Sequence, residues 1–407
     1  MKKVISLLLC ICMCWQITAC SAVGNSQKLS APGQPAKKMN YSDTEYLTEQ
    51  ILEFSADIFR HTAGKDNSLI SPVSLLYALA MTANGASGVT LADFEKLTGT
   101  DIDTLNHFLA AFKTNLPQTA KAKLNMANGI WFRDSFEANQ EFLDKNRDYY
   151  GAGIYKAPFD DGTVKDINNF AKENTDGQID KVLENIPDKT VMYLVNALSF
   201  DAKWEDKYKK SQISDRIFTA YDGTQQDVKM MYSEENVYIE DENTTGFIKD
   251  YDDGKYRFVA LLPDKDTDIT DYVRNLTGEK LSGLLNTVNC PVDVLLPQFD
   301  ATYSAEMKDI LTAAGLGSFF DEASADFSNM GSTPYNLYIS SVIHKTTLTL
   351  DDNGTKAAAV TLVSVNESAA ALPEDLKTVI LDRPFVYMIV EEQTNIPVFM
   401  GTVMTIQ

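Results

Sequence analysis

Residues 354–368 read Gly-Thr-Lys-Ala-Ala-Ala-Val-Thr-Leu-Val-Ser-Val-Asn-Glu-Ser, and this stretch decides how the rest of the chain is interpreted. Every second residue from Thr355 to Val365 is small or apolar and uncharged, and no proline occurs between Thr355 and Pro373. Successive residues of a β-strand point to opposite faces, so these residues would share one face that can be buried. A central strand also needs a backbone N–H at each residue, which proline lacks. The stretch can therefore become a central strand of a sheet.

The residues that alternate with this set would lie on the other face of the strand, where the charge of Lys356 can stay near solvent. Residues 347–350 and 385–390, on either side, also have strand composition. Taken alone, an Ala- and Val-rich run before a turn would favour a helix or an ordinary buried strand. The choice between these interpretations therefore depends on the rest of the chain.

Short segments spread over nearly the whole chain occur in an order that is typical of one family. They are 67–74 (NSLISPVS), 78–81 (ALAM), 85–90 (GASGVT), 125–132 (NMANGIWF), 167–170 (INNF), 175–179 (TDGQI), 194–197 (LVNA) followed by Phe200 and Trp204, 296–299 (LPQF), 325–328 (ADFS), 343–345 (IHK), 354–359 (GTKAAA), 382–385 (DRPF) and 399–401 (FMG). Each segment by itself is weakly specific. The complete ordered set resembles the serpin family.

This resemblance implies a mixed α+β serpin fold with three β-sheets, eight or nine helices and an exposed reactive-centre loop. It also implies a mechanism in which a protease cuts the loop, forms an acyl-enzyme and is trapped when the cut loop inserts into the main sheet as a new central strand. Insertion of roughly 13 residues at about 3.3 Å each would carry the attached protease over about 40 Å. The energy stored in the metastable native state is released at this step.

Carried over residue by residue, the resemblance assigns structural roles to two sets of side chains. The shutter and the breach, which lie beneath and at the start of the insertion path, comprise Ser71, Ser74, Asn196, Trp204 and His344. The hinge of the loop comprises Asp352, Gly354, Thr355, Lys356, Ala357, Ala358 and Ala359. Asp352 and Lys356 stand where the family commonly has glutamate, and residues 368–384 form a slightly longer segment than usual. Because the buried face of the hinge stays small and uncharged, we expect inhibition.

The reactive bond follows from a spacing that is nearly constant in the family. Counting 14 residues from Gly354 leads to Ser368, so the predicted bond is Ser368–Ala369, with a shift of one or two residues left open. A small side chain at the cut suits a protease with a shallow specificity pocket, such as an elastase-like or subtilisin-like enzyme. Leu372 is the alternative for a protease with a larger pocket.

The N-terminus has the features of a bacterial export signal. Lys2 and Lys3 precede an apolar run over residues 4–15, which is too short for a comfortable transmembrane helix. The run ends in Ile-Thr-Ala-Cys, which resembles a bacterial lipobox and implies lipidation of Cys20 after removal of residues 1–19. The alternative is an ordinary signal peptide cut near Ala19. Lipidation would hold the protein on the outer face of a bacterial membrane.

Residues 20–43 are rich in Ser, Gly, Pro, Gln and Lys, which predicts a flexible tether. From residue 44 the pattern changes, since large apolar residues recur at Leu47, Ile51, Phe54 and Ile58, on one face of a helix. No second segment of tether composition follows. We therefore predict one domain over residues 44–407.

Several function classes are disfavoured. Asp and Glu outnumber Lys and Arg by 57 to 36, and the formal charge of -21 argues against nucleic acid and anionic lipid as electrostatic partners. We find none of the common hydrolase, zinc-protease, P-loop or paired-cysteine motifs. Residues 264–268 have calcium-loop spacing but lack the required glycine and terminal glutamate. No enzyme activity, cofactor or metal is predicted, and only Cys290 would remain as a free thiol in the mature chain.

The sequence thus predicts an irreversible inhibitor of serine proteases, or of papain-like cysteine proteases, that works as a monomer at the bacterial cell surface. Its partners would be the trapped protease, bound covalently, and the membrane, reached through the lipid on Cys20. A non-inhibitory serpin is the nearest alternative, although such members usually carry bulky, charged or proline residues in the hinge. A solute-binding lipoprotein is the alternative from another class, and it would need two α/β lobes.

Overall fold

The computed structural model describes residues 25–29, 45–116, 121–188, 190, 192–252, 254–286, 288–332, 336–356 and 377–406. The signal peptide, Cys20, the hinge residues Ala357, Ala358 and Ala359, and the predicted bond Ser368–Ala369 lie outside this range. Within it, no helix is both long enough and apolar enough to cross a bilayer.

The described residues form ten α-helical segments. They are α1 (Glu45–Thr62), α2 (Pro72–Ala83), α3 (Gly88–Thr98), α4 (Ile102–Asn115), α5 (Gln140–Lys145), α6 (Asp161–Asn174), α7 (Ile269–Arg274), α8 (Gly278–Leu285), α9 (Lys308–Leu311) and α10 (Gly317–Phe320). A π-helical turn, Thr312–Leu316, joins α9 to α10. With these three pieces taken as one helix, the described residues contain nine helices, within the predicted eight or nine.

The strands are β1 (Gln27–Lys28), β2 (Ser68–Ile70), β3 (Ala122–Arg133), β4 (Glu137–Ala138), β5 (Gly153–Ala157), β6 (Met192–Lys203), β7 (Ile213–Thr219), β8 (Gln225–Glu235), β9 (Val237–Glu240), β10 (Thr244–Asp250), β11 (Tyr256–Pro263), β12 (Val292–Pro297), β13 (Phe299–Glu306), β14 (Gly331–Ser332), β15 (Ser341–Leu350), β16 (Gly354–Lys356), β17 (Lys377–Ile380), β18 (Phe385–Glu391) and β19 (Pro397–Val403). The two C-terminal strands, β18 and β19, pair as an antiparallel hairpin.

Three larger sheets are present in the described part of the chain, as predicted. The main sheet has the order β1-β5-β3-β6-β16-β15-β13, the second sheet β2-β19-β18-β11-β10-β9 and the third sheet β17-β12-β8-β7. The short strands β14 and β4 form a separate pair, which the sequence did not indicate. The mixed α+β fold expected from the resemblance is therefore confirmed.

Helix α2 connects the main and second sheets. Two residues set its start: the Ser71 hydroxyl accepts a hydrogen bond from the Ser74 N–H, and Pro72 occupies the first helical position. All twelve of its residues are buried, and it contacts β6 of the main sheet and β19 of the second. The predicted apolar face of α1 (Leu47, Ile51, Phe54 and Ile58) is also buried. This packing places Ser71 and Ser74 directly behind the main sheet.

Candidate functional site

The main sheet is closed along most of its length and opened at one end by the hinge. Strands β6 and β15 pair directly, in parallel, from Tyr193–Ser341 to Ser199–Thr347. Beyond this point β16 lies between them, with Thr355 opposite Ala202 on β6 and opposite Leu350 on β15. Three hinge residues are therefore already paired as a central strand. We refer to this region as the hinge end of the sheet and to the opposite end as the closed end.

Gly354 is required by the close approach of β16 to β6. Its φ is 155°, which side chains rarely adopt, and a Cβ atom built there would lie 2.1 Å from the Ala202 carbonyl oxygen. Any other residue would force β16 away from β6. A glycine at the base of the hinge thus follows from sheet geometry as well as from the family pattern.

Thr355 points to the interior, as the alternation of residues 355–365 predicts. Its exposed fraction is 0%, and its Oγ1 lies 2.6 Å from the Tyr251 hydroxyl oxygen. A small, neutral side chain fits here, and a charge would lose its hydration without gaining a partner. The backbone of Lys356 pairs opposite Thr349. The structure thus buries Thr355, the first residue of the predicted inner face.

Trp204 holds the turn that leads into β16. Its indole Nε1–H donates to the Asp351 carbonyl (2.9 Å), and its backbone N–H donates to the Asn353 carbonyl (3.0 Å). The ring is fully buried and stacks on Tyr251, with centroids 4.6 Å apart. The Asp352 carbonyl accepts from the Tyr208 N–H at 3.1 Å. Trp204 and Asp352, both predicted hinge or breach residues, therefore meet at one turn.

A buried ion pair lies beneath this turn, and sequence reasoning missed it. Lys249 Nζ is 2.7 Å from Glu235 Oε1, 4.7 Å from the centroid of the Tyr208 ring and 5.5 Å from that of Trp204. Burial raises the pKa of Glu235, while Lys249 opposes the shift. The pair links β10 of the second sheet to β8 of the third. Its two residues come from separate strands, and neither strand carries a pattern that marks a buried charge.

The predicted shutter residues form one hydrogen-bonded cluster. His344 and Asn196 are opposite each other on β15 and β6, and His344 Nδ1 lies 2.7 Å from Asn196 Oδ1. The Ser71 backbone N–H donates to His344 Nε2 at 3.0 Å. Asn196 Nδ2 donates to the Ser74 carbonyl at 2.8 Å and to Asn128 Oδ1 at 2.7 Å, and it also contacts Ser74 Oγ. Asn128 belongs to the quoted NMANGIWF segment but was not predicted as a shutter residue.

These bonds define the protonation state of His344. Nε2 accepts from an N–H group, so the proton is on Nδ1 and the ring is neutral. Complete burial lowers the pKa of His344 to about 4. A second proton would place two N–H groups against each other inside the core. The bonds that tie β15 to β6 and to the start of α2 through His344 therefore need an uncharged ring.

We expect the stability of the uncleaved protein to fall with acid through this histidine. Its pKa is about 4 in the fold and about 6.5 in an unfolded chain. The folded state therefore binds fewer protons between these values. The stabilisation is complete above pH 6.5, is lost as the pH falls towards 4, and amounts to roughly 3 kcal/mol. The melting temperature, measured at several pH values between 6.5 and 4, should fall less steeply with acid for His344→Gln than for the natural protein. A His107→Gln control, on the surface, should keep the natural slope, and equal slopes in all three proteins would contradict the assignment.

The shutter and the hinge are separate clusters on one strand. Asn196 precedes Ala202, the partner of Thr355, by six residues along β6, which is about 20 Å. The shutter lies where β6 and β15 still pair directly, and the hinge lies where they have parted. No group of three His, Cys, Asp or Glu side chains in the described part of the chain is arranged to hold a metal ion. The two clusters therefore occupy different parts of the same sheet.

The geometry defines a protein whose main sheet holds the start of a further central strand, β16, between β6 and β15 at one end. The sequence model described as "Serpin (serine protease inhibitor)" matches residues 49–406, so the chain belongs to the serpin family. Leukocyte elastase inhibitor A of Rattus norvegicus is 30% identical over 380 residues, covering 88% of this chain and 99% of that protein.

Solved structures agree with this assignment. The thermophilic serpin tengpin in its native state has a TM-score of 0.86 and 42% identity, covering 94% of this chain and 100% of tengpin. A thyroxine-binding globulin complex with thyroxine has a TM-score of 0.77 at 22% identity, covering 89% of this chain and 100% of the globulin, a likeness that concerns the fold alone. The chain therefore has a serpin fold and not the two α/β lobes that a solute-binding lipoprotein would need.

Proposed function

We propose that this serpin is an irreversible suicide-substrate inhibitor of serine proteases with small specificity pockets. The observation that carries the proposal is β16, which is seated between β6 and β15 with an uncharged inner face. The similarity to an elastase inhibitor supports a protease as the partner. Papain-like cysteine proteases use the same acyl-enzyme chemistry and are included.

The chemistry belongs to the protease. Its nucleophilic oxygen or sulfur attacks the Ser368 carbonyl carbon, the Ser368–Ala369 bond breaks, and the amine of Ala369 leaves with a proton supplied by the protease. The loop, still esterified through Ser368, then continues β16 along the sheet. Water completes hydrolysis unless insertion distorts the protease first. This chain contributes no catalytic residue to the reaction.

We further propose that the protein acts as a monomer on the outer surface of a bacterial cell, anchored through a lipid on Cys20. The apolar run followed by Ile-Thr-Ala-Cys supports this location. Metabolic labelling with a palmitate analogue, compared with Cys20→Ser, tests it. Label in the natural protein and none in the variant is the expected result.

A non-inhibitory carrier or chaperone role is the second candidate, since the fold alone is shared with a thyroxine-binding globulin. Incubation with elastase-like, subtilisin-like, trypsin-like and papain-like proteases, followed by denaturing gels, separates the two functions. An inhibitor forms a complex that survives denaturation. Cleavage without any such complex across the panel would favour the second candidate.

We predict that the cut falls between Ser368 and Ala369. Mass spectrometry of the C-terminal peptide released from the denatured complex should show a fragment that begins at Ala369. Trypsin-like enzymes should not be usefully inhibited at this site, because deep acidic pockets select Arg or Lys. A fragment that begins at Thr378, after Lys377, would contradict the assignment.

A further inference from the structure

Five residues of the predicted tether are bound to the domain. Gln27 and Lys28 form β1, which pairs antiparallel with the edge strand β5, and the Leu29 N–H donates to the Ile154 carbonyl at 2.7 Å. The composition of residues 20–43 predicted a flexible segment, and this part of that prediction is wrong. Backbone hydrogen bonds to a sheet edge need no particular side chains, so composition does not indicate them.

Side-chain contacts add to this pairing. Asn25 Nδ2 donates to the Asp160 carboxylate at 3.1 Å, and the Ser26 N–H donates to Asp166 Oδ2 at 2.8 Å. Asp160 caps α6 and Asp166 lies within it, while Leu29 packs against the main core. Gly162 leaves room for the Asn25 amide, since a Cβ atom there would lie 2.1 Å from Asn25 Nδ2. Residues 25–29, which we call the N-terminal clamp, therefore bind both the sheet edge and α6.

The N-terminal clamp sits at the closed end of the main sheet. Lys28 of the clamp pairs opposite Tyr155 on β5. Tyr155 in turn is opposite Trp131 on β3, and Trp131 is opposite Tyr193 on β6, so these four residues form one row across the sheet. Thr355 of the hinge lies on the row of Ala202, nine residues further along β6. Nine residues of strand span about 30 Å. The clamp and the hinge thus lie at opposite ends of the sheet.

We propose that the N-terminal clamp orients the membrane-anchored protein so that the hinge end points away from the bilayer. The proposal rests on the proposed lipid at Cys20. From Cys20 to Asn25 the chain spans five residues, which reach at most about 18 Å. A free tether of 24 residues would span about 80 Å when fully extended and would have an average end-to-end distance of about 27 Å. Either end of the main sheet could then face the lipid. The clamp removes most of that freedom.

This orientation selects the class of protease partner. The hinge end is presented to the medium, so a soluble protease arriving from outside can reach the loop, whereas one embedded in the same membrane cannot. Because β16 runs antiparallel to β6, continued insertion proceeds from the Ala202 row towards the Tyr193 row. A captured protease would therefore be drawn towards the membrane side, and because the clamp lies within about 18 Å of the lipid, the complex would have to tilt to make room for it.

The test uses full-length lipidated protein, extracted from bacterial membranes and reconstituted in phosphatidylcholine vesicles that contain acceptor-labelled lipid. With Cys290→Ser as background, a donor dye is placed either at Lys207→Cys, exposed near the hinge end, or at Asp188→Cys, exposed near the closed end. We expect energy transfer to the lipid to be roughly twofold or more higher from position 188, because the labels differ by about 30 Å along the sheet.

Two matched insertions, one on each side of the clamp, test whether the clamp itself sets the orientation. A flexible insert of about 15 residues between Gly24 and Asn25 should abolish the difference, whereas the same insert between Ser30 and Ala31 should preserve it. Ser26→Pro with Leu29→Pro, which removes two N–H donors of the clamp, should act like the first insert. Equal transfer from both labels in the natural tether, or equal effects of the two inserts, would overturn the orientation. Flotation of the same samples reports on the anchor separately, and protein that fails to float with the vesicles would overturn the lipid anchor itself.

Discussion

Thr355→Arg is expected to convert the inhibitor into a substrate. Thr355 is fully buried and its hydroxyl contacts that of Tyr251. An arginine here would place an unpaired charge in the core, at a cost of several kcal/mol, and each 1.4 kcal/mol of added insertion barrier slows insertion about tenfold. Deacylation would then precede trapping. Denaturing gels should show the covalent complex reduced by at least about tenfold, with the cleaved serpin and active protease recovered instead.

Two matched variants separate charge from general disturbance at the hinge. Thr355→Ser keeps a small hydroxyl and should trap protease like the natural protein. Asn353→Arg adds the same charge at an exposed residue two positions earlier and should also retain trapping. In uncleaved Thr355→Arg the three-residue strand β16 can leave the sheet and return the charge to water, so the melting temperature should fall only by the cost of releasing that strand. Undiminished complex in Thr355→Arg would rule out insertion through this strand.

Cleavage of the loop in the absence of trapping is expected to raise the melting temperature by roughly 20 °C or more. In the uncleaved protein β6 and β15 share one ladder of hydrogen bonds from Tyr193 to Ser199. Insertion would replace that ladder by two and would add the inner face of the loop after Thr355, from Ala357 to Val365, to the buried surface. The cleaved form therefore gains hydrogen bonds and apolar burial that the native form lacks.

Calorimetry of intact and cleaved protein measures this gain directly. Cleaved Thr355→Arg is the control, and it should melt much closer to its intact form because insertion is opposed. If intact and cleaved natural protein melt at the same temperature, the loop does not insert, and the non-inhibitory function becomes the better proposal.

The sequence by itself determined the features that depend on local patterns. Alternation in residues 355–365 predicted a strand with a neutral inner face, and the structure describes its beginning at Thr355. Ser71 and Pro72 marked the start of α2, since a cap and a proline act within one helical turn. The ordered family segments brought His344, Asn196 and the two serines into one predicted cluster, and these residues are in contact.

Only the tertiary structure decided which distant elements meet. Lys249 and Glu235 pair beneath Trp204 because the second and third sheets come together there. Asn128 joins the shutter because the register of β3 places it opposite Asn196. The N-terminal clamp binds largely through backbone groups, which every sequence carries. Such contacts depend on strand register and on the packing of sheets, both long-range properties, so periodicity and composition along the chain carry no signal for them.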